Sequence, residues 1–267
     1  LDKSISAVTN KKSAELNLEY VKELKKELEV APDFAGVKLI FPEIQDTNDK
    51  NELMFLVHKN EEMFRKIGDI FSLFNQEVER IEGREIVLAI TINPKTHGWR
   101  PNKERIKEKW GIDVPEVYAI NPFAVNNEYL YQLEHKDFST PDEIELNEWI
   151  NSKTVEELNK MKAGWFVHTM MHEWTHNYVE AHNADFIGKL GQLHASIGYD
   201  TLFIIQDEAT KIFSDGEQHE QIHKQIEKIY EGMGERTSGI LENEDIISGF
   251  SKREGEGEFG KLPEGYA

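Results

Sequence analysis

Apolar residues recur at helical spacing through "KKSAELNLEYVKELKKELEV" (11–30), and the rhythm then changes to alternation at Val37, Leu39 and Phe41 within "GVKLIFPEI" (36–44). That change of period predicts a helix followed by a strand. A second helix is expected over 51–81, leading into "REIVLAITINP" (84–94), where Ile86, Leu88, Ile90 and Ile92 fall on one face of a strand. A third strand is expected in "PEVYAINPF" (115–123). The stretch before it, "PKTHGWRPNKERIKEKWGID", is read as a loop, with its Lys/Arg cluster near 100–109 as a solvated basic patch.

Beyond residue 140 the alternation stops. "TPDE" (140–143) has the form of a capping box, with Thr140 at the N-cap, Pro141 at the first helical position and Glu143 three residues on, and "TVEE" (154–157) repeats it. Helical periodicity continues over about 184–197, 201–214, 217–234 and 239–250, while the glycine- and charge-rich tail 251–267 is expected to be poorly ordered. The pattern therefore predicts an α+β chain, with a mixed helix and strand lobe over 1–140 and an all-helical lobe over 141–250 that together form one domain. At 267 residues such a chain can bury a full-size core.

Composition narrows the partners. The chain has 50 acidic against 31 basic residues and a net charge of -19, which repels nucleic acid and anionic membrane surfaces. Its 39% hydrophobic content is broken by charge throughout, so no membrane span is expected. There is no cysteine, so any metal must be held by nitrogen and oxygen. The chain opens with "LDKSISAVTN" in place of a methionine, so a trimmed or processed chain is expected; a secreted or extracellular location is expected, with a cytoplasmic one as the alternative, and a monomer.

The helix launched at Thr154 carries "WFVHTMMHEWTHNYVEAHN" (165–183), which contains "HEWTH" at 172–176. In a helix His172 and His176 are one turn apart, offset by about 40° and about 6 Å, so both imidazoles can reach one ion. Glu173 lies about 60° around the helix from His176, where a carboxylate flanks a metal without ligating it. That is the position a general base acting on water needs.

With a sheet-containing half before it and helices after it, the HExxH string resembles the zincin metallopeptidases. The resemblance implies an upper lobe of mixed sheet with backing helices, a cleft floored by the HExxH helix, and a helical lower lobe that donates the third zinc ligand. It also implies a Zn²⁺-dependent endopeptidase acting on peptide or protein, with Glu173 as the base and an extended substrate added to strand 84–94 or 115–123 at the upper rim. The same fold without turnover, as a binding or regulatory module, is the alternative.

Two places offer the third ligand. "HEWTHNYVEAH" puts His182 at the metzincin spacing, but Val179 stands where that pattern has glycine, and if the helix continues His182 points about 240° away from His176. Downstream, "GYDTLFIIQDEATKIFSDGE" (198–217) read as a helix buries Leu202, Ile205, Ala209 and Ile212, with Glu208 at the border of that face. A carboxylate there resembles the gluzincin pattern, and the 31 residues between His176 and Glu208 (177 to 207) are similar to the longer spacing of clostridial neurotoxin or lethal-factor type proteases. Glu208 is the expected ligand beside His172 and His176, with His182, Asp207 and Glu242 as alternatives. Tyr199 is the expected donor to the oxyanion, with Tyr178 and His194 as others, and His168 is a candidate outer partner of His172.

Overall fold

The computed structural model describes residues 47–237 apart from 85, 93–95, 112, 115 and 136–141, together with 33–34, 37–39 and the single positions 18, 22 and 26. The helices expected over 11–30 and 239–250, the tail 251–267 and Glu242 lie wholly or almost wholly outside the described residues.

The described chain is mixed α and β, mostly helical around a small mixed sheet. Strands β1 (Asp33–Phe34), β2 (Val37–Leu39), β3 (Val87–Ile90), β4 (Gly98–Trp99) and β5 (Val117–Ile120) lie in the order β1-β2-β3-β5-β4. β2, β3 and β5 run parallel, with Val87 to Ile90 paired against Val117 to Ile120, and the two outer strands are antiparallel. All four residues of β5 are buried, as a strand covered on both faces requires.

The long helical stretch of the first half is two helices, α1 (Thr47–Lys59) and α2 (Glu61–Glu82), broken at Asn60. The Asn60 side-chain amide donates to the Leu56 carbonyl at 2.8 Å, competing with the ladder, and the Gln218 amide donates to its oxygen at 3.1 Å, tying the break to the last helix. Two further short helices occupy stretches where none was expected: α3 (Lys103–Trp110) and α4 (Asn127–His135).

The elements of the second half are all helices among its described residues: α5 (Glu143–Ser152), α6 (Val155–Thr175), α7 (Ala184–Ile197), α8 (Tyr199–Ser214) and α9 (Gly216–Thr237). The cap of α5 is Asp142, whose carboxylate accepts from the Ile144 amide at 2.8 Å, in place of the Thr140 expected from the box. At α6 the box forms as read: Thr154 Oγ1 accepts from the Glu157 amide at 3.1 Å and the Glu157 carboxylate accepts from the Thr154 amide at 2.7 Å.

One core joins both halves, from Leu39 and the α2 stripe Phe64, Ile67, Phe71, Phe74 through α6 to Ile212 and Ile229. Phe71 stacks on Phe166 with ring centroids 6.0 Å apart, and Phe74 meets Trp174 edge-on at 5.8 Å. Such ring pairs add about 0.5–1.5 kcal/mol beyond the area they bury. Trp174, between the two motif histidines in sequence, is 0% exposed, so the motif helix is anchored by the core from its rear side. Among the described residues no helix is long and apolar enough to cross a membrane.

Candidate metal centre

His172 sits in the last turn of α6 and His176 is its C-cap, with right-handed backbone angles of φ -62° and ψ -12°. Past that point the ladder tightens: the Asn177 amide donates to the Trp174 carbonyl at 3.1 Å and the Tyr178 amide to the Thr175 carbonyl at 2.9 Å, both three residues back. The chain then leaves the helix and re-enters one at Asn183, whose side-chain oxygen caps α7 by accepting from the Asp185 and Phe186 amides. His182 stands immediately before that cap.

The helix that would have turned His182 away has therefore ended. His182 Nε2 lies 3.0 Å from His172 Nε2, and His176 Nε2 lies 3.0 Å from the same atom. These three histidines form the one group of three or more metal-ligating side chains among the described residues, with ligand atoms all within 4.8 Å of one another. His176 Nδ1 faces the Val179 carbonyl at 3.0 Å. A ring that donates Nδ1–H there presents its Nε2 lone pair to the group, the usual way an outer contact fixes the tautomer of a ligand.

The ring of Phe186 sits under all three imidazoles, 4.8 Å from His172, 4.6 Å from His176 and 5.0 Å from His182 between centroids. His176 is buried, His172 half-buried and His182 exposed, so the group reaches solvent at His182.

Glu173 is 5% exposed and faces strand β4. A Cβ at Gly98 would stand 3.0 Å from Glu173 Cγ, 3.2 Å from its Oε1 and 2.9 Å from Thr169 Cγ2, so only glycine lets the strand approach this closely. β4 is an outer strand of the sheet, whereas β3 and β5, the strands expected at the rim, are interior. The outer strand therefore meets the motif helix at Gly98.

The other predicted site residues lie elsewhere. Glu208 is on α8 with its side chain 40% exposed, and it accepts from Lys211 Nζ at 2.6 Å. Two residues earlier on α8, Gln206 reaches the Lys160 carbonyl at 3.4 Å and approaches Gly164, and the charge of Asp207 acts on Lys160. Those α6 positions precede His172 by 8 to 12 residues, about 12–18 Å along the axis. The structure does not bring Glu208 or Asp207 into the histidine group. Tyr199, the first residue of α8, is 72% exposed. Tyr178 donates its hydroxyl proton to Glu82 at 2.5 Å, and burial with that carboxylate beside it pushes its pKa up to about 12. His194 Nδ1 faces the Leu190 carbonyl at 2.8 Å.

His168 stacks between Trp165, 4.9 Å away, and His172, 6.1 Å away, and burial, helped by His194, pushes its pKa down to about 4. Lys107 of the basic patch is exposed, as a solvated patch requires, but Arg100 is 8% exposed, and its guanidinium donates to the carbonyl of His176. Gly98, Arg100, Glu82 and Phe186 escaped the sequence reading. The only trace of the first two is the string "HGWRP", a small residue and an arginine flanking a tryptophan.

Comparison of the chain with protein families, with curated proteins and with solved structures finds no match.

Proposed function

We propose that this protein is a zincin-like, zinc-dependent endopeptidase in which His172, His176 and His182 hold the ion and Glu173 is the general base. The observation that supports the reading most is the meeting of three imidazole Nε2 atoms, two of them from the helix that also carries the buried Glu173. Tetrahedral coordination at about 2.0–2.1 Å would set ligand nitrogens about 3.3 Å apart; both separations from His172 are 3.0 Å and all three ligand atoms lie within 4.8 Å of one another, so three neutral imidazoles are gathered at the scale zinc needs. Bound there, zinc would supply Lewis acidity at an open position, polarising a carbonyl and acidifying a water.

The chain's own residues do the rest. Glu173 lies about 60° around the helix from His176 and faces β4, so from that side its carboxylate would take the proton of a water held at the open position and return it to the leaving amine. Its burial against Gly98 confines that carboxylate to few rotamers, which keeps it aimed. β4, an outer strand next to Glu173, can pair with an extended peptide by strand addition and lay the scissile bond over the histidine group. Phe186 closes the far side of the imidazoles against water.

The test is metal analysis of protein purified without added zinc, followed by peptide-library cleavage with wild type and Glu173→Gln. The reading requires about one zinc per chain in both proteins and cleavage by the wild type alone. Absence of bound metal, or equal turnover by Glu173→Gln, would refute it.

A further inference from the structure

The return of His182 depends on where α6 stops, and residue 179, a valine, lends no backbone freedom to that stop. Two polar groups bear on it, one of them buried. The Arg100 guanidinium takes the carbonyl of His176, which drops out of the helical ladder, and places a fixed positive charge at the C-terminal end of α6, where the helix dipole favours one. On the other side of the turn, the Glu82 carboxylate accepts from the Trp174 indole N–H and from the Tyr178 hydroxyl, and is itself held by Arg84 at 2.7 Å. The bonded groups flank the last turn: Trp174 before His176, its own carbonyl, and Tyr178 after it.

The geometry points to Arg100 and Glu82 as a positioning clamp that ends the ligand helix at His176 and so holds the turn from which His182 comes back to His172. The inference rests on the metal-site reading above. The clamp also links ligand turn to substrate rim, because Gly98 and Arg100, two residues apart, meet α6 one turn apart, at Glu173 and at His176. Neither Arg100 nor Glu82 touches the imidazoles through its side chain, so the effect of each is on where His182 stands.

The experiment is zinc affinity by chelator competition on the full chain, in a double-mutant cycle of Arg100→Met with His182→Ala. Arg100→Met should weaken zinc binding roughly 10–100-fold, the usual cost of losing an outer partner, and Arg100→Lys should recover most of it by donating to the same carbonyl. In the His182→Ala background Arg100→Met should cost less than about threefold more, since the ligand it positions is gone. Multiplying losses in the double mutant would mean a general structural role and overturn the clamp. Should Arg100→Met not fold, Tyr178→Phe, at an exposed position, replaces it in the cycle with an expected loss of about three- to tenfold, judged by the same coupling. A wild type that binds no zinc overturns the site reading and the clamp together, which separates the two failures.

Discussion

Two segments after the HExxH motif competed for the same role, and they differ in how the chain reaches them. Glu208 lies in the middle of a regular helix, so its direction can be read from periodicity, and Ile205, Ala209 and Ile212 are buried as that periodicity says. Yet α8 carries it to the N-terminal part of α6, and its carboxylate ends on Lys211. His182 lies in an irregular turn where periodicity says nothing, and it arrives beside His172. A helical wheel is informative about faces and silent about which level of the neighbouring helix a face meets.

The largest effect that tests this difference is at the residues both readings share. His172→Ala and His176→Ala should each lose zinc and activity together, well beyond the roughly 10–100-fold cost of an outer-partner mutation; near-wild-type zinc content by metal analysis would remove the basis for comparing third ligands at all.

Next comes the base. Glu173→Gln should keep zinc and the unfolding midpoint while hydrolysis falls by about 10²–10⁴, the range for removing a positioned proton acceptor. Steady-state kinetics on a cleaved peptide check it, and a simultaneous loss of metal would make Glu173 a ligand instead.

The comparison itself turns on His182→Ala against Glu208→Ala. The first should lose zinc affinity by more than an outer-partner mutation does, and the second should leave it unchanged, because an exposed Lys211–Glu208 pair contributes only about 0–1 kcal/mol of stability and nothing to the group. Chelator competition on the two variants decides it, and the reverse order would restore Glu208.

A smaller effect is expected at the rim. Gly98→Ala forces a Cβ against Thr169 and Glu173 and should cost about 1–3 kcal/mol by urea denaturation, with activity falling further than zinc content. The smallest is Val179→Gly, which should leave zinc affinity unchanged and cost roughly 0.5–1 kcal/mol through added freedom of the unfolded chain. A marked gain in affinity would show that the valine strains the turn.

The amino-acid sequence by itself determined the α+β character, the presence of three strands though not their parallel pairing, the capping box that starts α6, the buried face of α8, and the placing of His172, Glu173 and His176 along one helix and its cap. Each of these follows from interactions within about one or two turns, or from the period of burial, which nearest neighbours encode. It did not determine the break at Asn60, the outer strand Gly98–Trp99 or the end of α6. The break joins a local bond from Asn60 to Leu56 with a distant one from Gln218, and the other two depend on partners distant in the chain: Ile120 and Ala119 for the two-residue strand, Arg100 and Glu82 for the turn. A two-residue strand carries no period to detect. A helix stopped by a guanidinium 76 residues away carries no local stop signal, so glycine's absence at 179 predicted a continuing helix. Only the tertiary structure could decide that His182 returns, because the contacts that end the helix are made by the sheet edge and by α2, and no sequence pattern near the motif records them.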